Sequence, residues 1–303
     1  MRGSLRNLKQ TIDRSSTSGV YAILVLQSLM ASGTHIVAKL VVRDVEPFTL
    51  TLVRSLISAL AMGLILTLRG RMPVIRREDF RPVLWLSFLA IPVNQFLFLF
   101  GMRYTIPSNA ALLYATTPIV VLVFSHYFLG ERLTRSKVVG VVLGFTGVTI
   151  VIFERGVSAS MEFVYGNVII FCAVLAWALY TVYGRKLIVK YGAIEASSVT
   201  LIVGTVLFIP IGLIPAVRFP YELLTAANWL QIGYLGIVTS VFAYLLWYYA
   251  LGRIEAGKVA LFANLQPLLT TVLAVVLLDQ SITAAFLIGG TIAISGVVVA
   301  QFS

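Results

Sequence analysis

Residues 108–134 read SNAALLYATTPIVVLVFSHYFLGERLT, and residues 257–283 read GKVALFANLQPLLTTVLAVVLLDQSIT. Laid one on the other, Pro118 falls on Pro267, Ala111-Leu112 on Ala260-Leu261, Leu129 on Leu278 and Thr134 on Thr283. The register continues to Gly140 on Gly289 and Gly147-Val148 on Gly296-Val297. Apolar stretches share residues by chance, so the paired prolines, glycines and turn threonines carry the match. A weaker correspondence sets Ala31–His35 against Ala176–Tyr180. The chain therefore reads as one unit written twice.

What the unit is follows from composition. Of 303 residues 59% are hydrophobic and 12% charged, and the mean hydropathy is +0.96. Soluble domains carry about a quarter charged residues, so a water-soluble enzyme core is excluded. So is a disordered chain, which lacks apolar surface. Ten apolar runs stand out, at Val20–Val42, Pro47–Leu68, Pro82–Arg103, Ser108–Leu129, Lys137–Phe153, Tyr165–Arg185, Ala193–Ala216, Trp229–Leu251, Gly257–Leu278 and Thr283–Phe302. Each is long enough to cross roughly 30 Å of hydrocarbon as a helix, and none alternates as a barrel strand would. The expected fold is an all-α integral membrane protein of ten transmembrane helices in two repeats of five. Five is odd, so the second repeat enters the membrane inverted. Such inverted repeats are a known basis for alternating access.

The basic residues test the span list. With the N-terminus inside, Arg2, Arg6, Lys9, Arg14, Arg69, Arg71, Arg76, Arg77, Arg81, Arg132, Arg135, Lys137, Arg185, Lys186, Lys190, Arg253 and Lys258 all fall on inner segments. Only Arg43, Arg103, Arg155 and Arg218 fall outside, while Lys39 and Arg54 lie within spans. This asymmetry matches the positive-inside rule, with both termini cytoplasmic in a plasma (inner) membrane. It also accounts for the net charge of +11 without a nucleic-acid partner. The first run follows a basic tail, exceeds a signal-peptide core and lacks a cleavage site, so it reads as a retained span. The expected organisation is a basic tail (1–19), a first repeat (20–153), an outer linker (154–164) and a second repeat (165–303).

Catalysis finds little support. Cys172 is the single cysteine and His35 and His126 are the two histidines, too few for a metal cage. No Walker loop or HExxH is present. No catalytic residue, metal ligand or cofactor is expected, and the chain is read as no enzyme.

The second span opens with Glu46-Pro47 and holds Arg54. The fourth runs from Ser108-Asn109-Ala110-Ala111-Leu112-Leu113 to Pro118. Gly130-Glu131-Arg132-Leu133-Thr134, followed by Gly140 and Gly147, is the most specific motif. Ala176-Trp177-Ala178-Leu179-Tyr180 and Ala260-Leu261 leading to Gln266-Pro267 answer it in the second half. On these residues the chain resembles the EamA-like transporters of the drug/metabolite transporter superfamily, from Val20 to Phe302. It departs at Gln280, where the repeat often has a glutamate. The resemblance implies ten helices around a central cavity and movement of a small metabolite, often an amino acid or related solute, with export the expected direction. A channel or a non-transporting membrane scaffold is the alternative, and a membrane-embedded enzyme ranks below both. The partners expected are a small solute and the bilayer; oligomeric state stays open.

All twelve acidic residues lie in tails, loops or span ends. Without a mid-span carboxylate there is no ready proton carrier and no partner for a cationic drug, which points to neutral or anionic solutes. His35 and Lys39 share one face of span one. Lys39 reads as a snorkelling cation, or with His35 and Arg54 as part of a positive pocket for a carboxylate or phosphate on the substrate. Arg54 either recognises a substrate anion or pairs with a helix-end carbonyl or loop acid. His35 reads as a neutral hydrogen-bonding group, a proton carrier or a packed ring. Asn94, Gln95, Asn264 and Gln266 should face the interior, since amides facing lipid are costly. They contact either solute or neighbouring helices. Tyr114, Thr117, Trp177, Tyr180, Tyr244 and Tyr248 complete the cavity candidates, with Tyr180 and Tyr244 as a stacking wall. Trp247, Tyr248 and Tyr249 sit nearer the outer boundary in this reading, where an interfacial belt is the rival. His126 is expected at the cytoplasmic interface. Pro118 and Pro267 are hinge candidates, against static kinks. Gly140-Gly144 and Gly289-Ala293 have the spacing of close helix packing, within one chain or between two.

Overall fold

The computed structural model describes residues 18–70, 73–105, 107–154, 161–269, 272 and 284–301. The described residues are helical apart from turns and short connections. Helices α1 (Ser18–Asp44), α2 (Pro47–Leu68), α3 (Arg77–Tyr104) and α4 (Asn109–Leu129) lead to α5 (Arg135–Glu154). Then follow α6 (Met161–Tyr191), α7 (Ala193–Arg218) and α8 (Ala226–Leu251). Helix α9 is built from Ala256–Ala260, Leu261–Asn264 and 265–269, and α10 is Ala284–Gln301. Among the described residues seven helices, α1 to α4 and α6 to α8, are long and apolar enough to cross a membrane. The basic tail before residue 18, most of the 154–164 linker, Gln280 and the Leu278–Thr283 turn lie outside the described residues.

Local sequence sets the helix ends. Glu46 caps α2, its carboxylate accepting from the Thr49 amide at 3.2 Å, with Pro47 in the first turn where a missing N–H costs nothing. Thr225 and Asn228 form a reciprocal capping box at the start of α8. Gly130 ends α4 at φ +69°, a left-handed conformation that suits glycine.

The bundle is apolar outside and partly polar inside. Leu60, Leu64, Leu230 and Val217 are exposed, while Ser28, Ser32, Thr51, Ser55, Ser58, Ser197 and Thr200 are buried. Several of these hydroxyls return to a carbonyl of their own helix, as Thr51 does to Pro47 at 2.7 Å. Others bridge helices: Thr205 of α7 donates to the Ser55 carbonyl of α2 at 3.1 Å. This is the arrangement expected where lipid is the solvent and hydrogen bonds and close packing join the helices.

The small-residue motifs act within one chain. Helices α5 and α10 meet along Gly140, Gly144, Gly147, Gly289, Ala293 and Gly296; a Cβ at Gly140 would stand 2.6 Å from the Gly296 carbonyl oxygen. A second seam is reciprocal. Gly204 of α7 admits Ile91 of α3, and Gly236 of α8 admits Ile57 of α2.

Five helices depart from regular α geometry. Helix α1 turns at Gly33, where the Tyr234 hydroxyl donates to the Met30 carbonyl at 2.6 Å. Helix α3 widens into a π segment at Leu89–Gln95, around Pro92, and α8 does so at Tyr234–Phe242. Helix α4 breaks at Ala115 and Thr116, so Pro118 occupies the first turn of a new helix, Thr117–Leu129, and not the middle of a continuous one. Before Pro267, α9 tightens to a 3₁₀ turn at Leu261–Asn264.

Candidate functional site

The irregular helices converge. The Gly33 turn brings Ala31, Thr34 and His35 to one cavity, the two π segments bring Asn94, Gln95 and Thr239, and the residues beside Pro267 bring Ala263 and Gln266. Gln27, Arg54, Phe98, Tyr114, Trp177, Ala243 and Tyr244 complete the wall. The cavity holds about 100 Å³, well below the roughly 300–1,000 Å³ of sites for drug-sized ligands. A π turn adds a residue to the helix and turns side chains and carbonyls out of register, which is why such turns recur at functional sites.

Arg54 sets the electrostatics. Its side chain is 3% exposed. One guanidinium nitrogen, Nη2, donates to Ser240 Oγ at 2.7 Å, to the Leu235 carbonyl at 3.1 Å and to Thr239 Oγ1 at 3.4 Å. Of the two readings open in the sequence, a helix carbonyl is found, in the π segment of α8 and not at a helix end. Among the described residues no carboxylate lines the cavity. Arg54 Nε has no partner among the described residues, so a buried cation keeps a free donor.

Other polar atoms are left open in the same way. Gln27 Oε1, His35 Nδ1 and Gln95 Oε1 have no partner among the described residues. Each such buried group is worth about 1–3 kcal/mol to whatever satisfies it, water or solute. Two amide nitrogens are held: Asn94 Nδ2 donates to the Ala173 carbonyl at 2.9 Å and to the Tyr114 hydroxyl at 3.1 Å, and Gln95 Nε2 to the Tyr244 hydroxyl at 3.4 Å. His35 packs edge-on against Phe98 and Tyr114, both ring centroids at 5.5 Å. Lys39 does not enter the cavity. Its Nζ donates to the carbonyls of Thr105 at 2.7 Å and Met102 at 2.9 Å, capping the C-terminal end of α3 where a cation is favoured.

The cavity thus gathers His35, Arg54, Asn94, Gln95, Tyr114, Trp177, Tyr244 and Gln266 from the expected residues. Thr117, Tyr180, Tyr248 and Asn264 are buried but do not line it. Asn264 packs against Gly144 of α5, and neither atom of its amide has a protein partner. Gln27, Thr34 and Thr239 were not singled out in the sequence. The rule that marked Asn94, an amide inside an apolar run, marks Gln27 equally well.

Tyr180, Trp247 and Tyr248 form a layer beside the cavity. Tyr180 stacks on Trp177 at 5.7 Å and on Tyr248 at 5.2 Å, and its hydroxyl pairs with Thr200 Oγ1 at 3.0 Å. Trp247 donates to Thr181 at 3.3 Å. Trp247 and Tyr248 are fully buried and lie toward the basic end, in the last turns before Arg253, so they are neither at the outer boundary nor an interfacial belt. Along α6 the order is Trp177, Tyr180, Thr181, Arg185, a path of about 12 Å from the cavity toward the end of the bundle where Arg185 lies. That end is basic: Arg69, Arg76, Arg77, Arg81, Arg132, Arg135, Lys137, Lys186, Lys190, Arg253 and Lys258 gather there.

The Gly130–Thr134 motif works at the basic end. Glu131 pairs with Arg185 of α6 and accepts from the amides of Ala256 at 2.8 Å and Gly257 at 3.2 Å, at the first turn of α9. Beside it Lys137 of α5 pairs with Glu255 at 2.6 Å and donates to the Arg132 carbonyl at 3.1 Å. One carboxylate therefore ties α4, α6 and α9 together, and the aromatic layer lies between it and the cavity. His126 is exposed, its Nδ1 3.0 Å from the Glu131 carbonyl oxygen.

Apolar helices packed around a small cavity that holds a few buried polar groups, tied shut at one end, are the build of a membrane solute carrier. The EamA-like transporter family profile matches the chain twice, over residues 18–153 and 164–301, and the chain belongs to this family. An uncharacterized transporter of Archaeoglobus fulgidus is 31% identical over 289 residues, 92% of this chain and 96% of its own. The uncharacterized transporter YetK of Bacillus subtilis is 25% identical over 93% of this chain and 86% of its own. A crystal structure 20% identical in sequence superposes with a TM-score of 0.77 over 93% of this chain and 98% of its own, a likeness of fold alone.

Proposed function

We propose that this chain is a secondary transporter that moves a small neutral or anionic metabolite, such as an amino acid or a related acid, by alternating access around the Arg54 cavity. The observation that carries the reading is Arg54 Nε. A buried guanidinium with a free donor, facing a cavity without a carboxylate, suits a carboxylate on the solute. The open oxygens of Gln27 and Gln95 suit an amine or hydroxyl beside it, and Trp177 and Tyr244 suit an apolar side chain. The chain is read as ten spans in two inverted five-helix repeats, with the basic end cytoplasmic in the plasma membrane. The double family match and the clustering of cations at one end support this reading. His35, Arg54, Asn94, Gln95, Tyr114, Trp177, Tyr244 and Gln266 then contact solute. Thr117, Tyr180, Tyr248 and Asn264 support them, and the breaks ahead of Pro118 and Pro267 serve as hinges.

Glu131, Arg185 and the aromatic layer close the cytoplasmic side in this state. Opening there requires the Glu131 pair to part and α9 to move from α4. With no carboxylate in the cavity to carry a proton, net movement follows the solute gradient, which for a metabolite made inside is outward.

The test is counterflow. Purified protein in liposomes preloaded with unlabelled amino and hydroxy acids should accumulate the labelled acid transiently and saturably. Linear, non-saturating flux would identify a channel, and no flux of any small acid would leave a scaffold. Reporter fusions at Arg77 and Arg155 should report opposite sides of the membrane; the same side for both breaks the ten-span reading.

A further inference from the structure

A second cavity, of about 530 Å³, lies between α3 and α6 at the basic end, away from the Arg54 site. Three cations line it: Arg81, Lys186 and Lys190. Lys190 is already engaged, 2.6 Å from Glu78 and 2.6 Å from Asp79. Asp79, the one acid in the wall, is held by Lys190 and by the Tyr191 hydroxyl. Arg81 and Lys186 are exposed and make no hydrogen bond or ion pair with any described residue. The groove therefore presents two uncommitted positive charges.

The rest of its walls are mainly apolar, formed by Pro82, Trp85, Leu86 and Leu187 with Tyr183. They continue onto the outer surface of α3, where Leu84, Trp85 and Phe88 are 40%, 48% and 43% exposed and Trp85 stacks on Phe88 at 6.1 Å. Cations above an apolar strip, with a tryptophan at the boundary, match a molecule with an anionic head and hydrocarbon tails. A soluble phosphate would use the cations and leave the strip bare.

We propose that this groove is a binding site for an anionic phospholipid of the phosphatidylglycerol type, with its phosphate between Arg81 and Lys186 and its acyl chains along Trp85 and Phe88. The leaflet, the cytoplasmic one, rests on the orientation proposed above; the binding does not. A lipid seated there touches α3, which supplies Asn94 and Gln95 to the central cavity, and α6, which supplies Trp177.

The test is lipid titration of the purified full-length protein, read by native mass spectrometry. Wild type should retain phosphatidylglycerol in preference to phosphatidylcholine. Removing two surface cations in R81Q/K186Q should weaken phosphatidylglycerol about 30-fold and leave phosphatidylcholine unchanged, while R81K/K186R should bind as wild type does. If the double variant proves unstable in phosphatidylcholine, R81Q and K186Q singly should each lose about 5-fold. Equal retention of phosphatidylglycerol by the wild type and these variants overturns the proposal. So does release of the lipid by millimolar inorganic phosphate, which would make the groove a site for a soluble phosphate. Counterflow in pure phosphatidylcholine liposomes tests the transport reading alone, so the two failures are distinguishable.

Discussion

The two halves of the chain share a plan and differ in what they place at the cavity. Both widen into a π segment at the same point of the third helix, Leu89–Gln95 and Tyr234–Phe242, and both lose regular α geometry just ahead of the matched prolines. The seams are matched too, Gly204 against Ile91 and Gly236 against Ile57. The chemistry is not. The first π segment offers the amides Asn94 and Gln95, whereas the second offers the hydroxyls Thr239 and Ser240, which hold Arg54. Arg54 itself has no counterpart: residues 200–202 are Thr200, Leu201 and Ile202. Helix α1 breaks at Gly33, whereas α6 runs unbroken over 31 residues. Repetition has kept the backbone devices that shape a cavity, and divergence has made the cavity lopsided in charge.

If that lopsided charge selects the solute, Arg54→Gln has the largest effect. Hydrogen bonds to a charged group are worth about 1.5–3 kcal/mol, so kcat/KM for a carboxylate solute should fall roughly 10- to 100-fold in liposome uptake. Arg54→Lys, which keeps the charge and loses the fork, should recover part of the loss. Unchanged kinetics in Arg54→Gln would reduce Arg54 to a helix-packing role.

The next contrast is between the tied end and the open site. Glu131→Gln removes the charge that faces Arg185 but keeps the side chain's shape. A cysteine placed at Gln27 in a Cys172→Ala background should then react faster with a thiol reagent applied to the basic end, about 10-fold for roughly 1.4 kcal/mol of lost closure. An unaltered rate would show that the aromatic layer alone seals that side.

The seams allow a finer comparison. A Cβ at Gly204 would meet the Ser87 carbonyl oxygen at 2.7 Å, a backbone atom that cannot swing away, whereas at Gly236 it meets Ile57 at 3.0 Å and the Arg54 carbonyl oxygen at 3.1 Å. Gly204→Ala should therefore cost about 2 kcal/mol, and Gly236→Ala about 1 kcal/mol, as read from unfolding in nanodiscs. The reverse ranking would mean that α8 is the more tightly seated helix. An effect of similar size belongs to α1. Gly33→Ala sets a methyl 2.6 Å from the Tyr234 hydroxyl oxygen and should destabilise by about 1 kcal/mol. Tyr234→Phe in the same chain should relieve it, and a double variant no better than the single would place the strain elsewhere.

Residue type and spacing made much of this legible. Apolar run length announced seven of the helices directly, and the rule that amides avoid lipid brought Asn94, Gln95 and Gln266 to the cavity. The same rule brought Asn264 to the interior but not to the site, because burial does not say which neighbour a side chain meets; here it is Gly144. Tyr248 and Trp247 went astray for a related reason. Their side chains suit a boundary or a core equally, and only the partner helix, with Gly184 and Thr181, decides. The π segments left no mark in the hydrophobic pattern, so Thr239 was not separated from its neighbours. Glu131 stood out as a motif, but its reach to the amides of α9 joins residues 125 positions apart, a distance no local spacing reports.

The glycine seam between α5 and α10 also bears on the order in which the chain is made. Helices enter the bilayer as they are synthesised, and α10 is the last of those described here. Until it arrives, Gly140 and Gly147 lack the neighbours that fill the groove they leave. When it arrives, backbone meets backbone, and little side-chain freedom is lost in the joining. The two halves are thus clasped by the last of the described helices to be made, and the seam beside the Asn264 amide closes only when that helix packs.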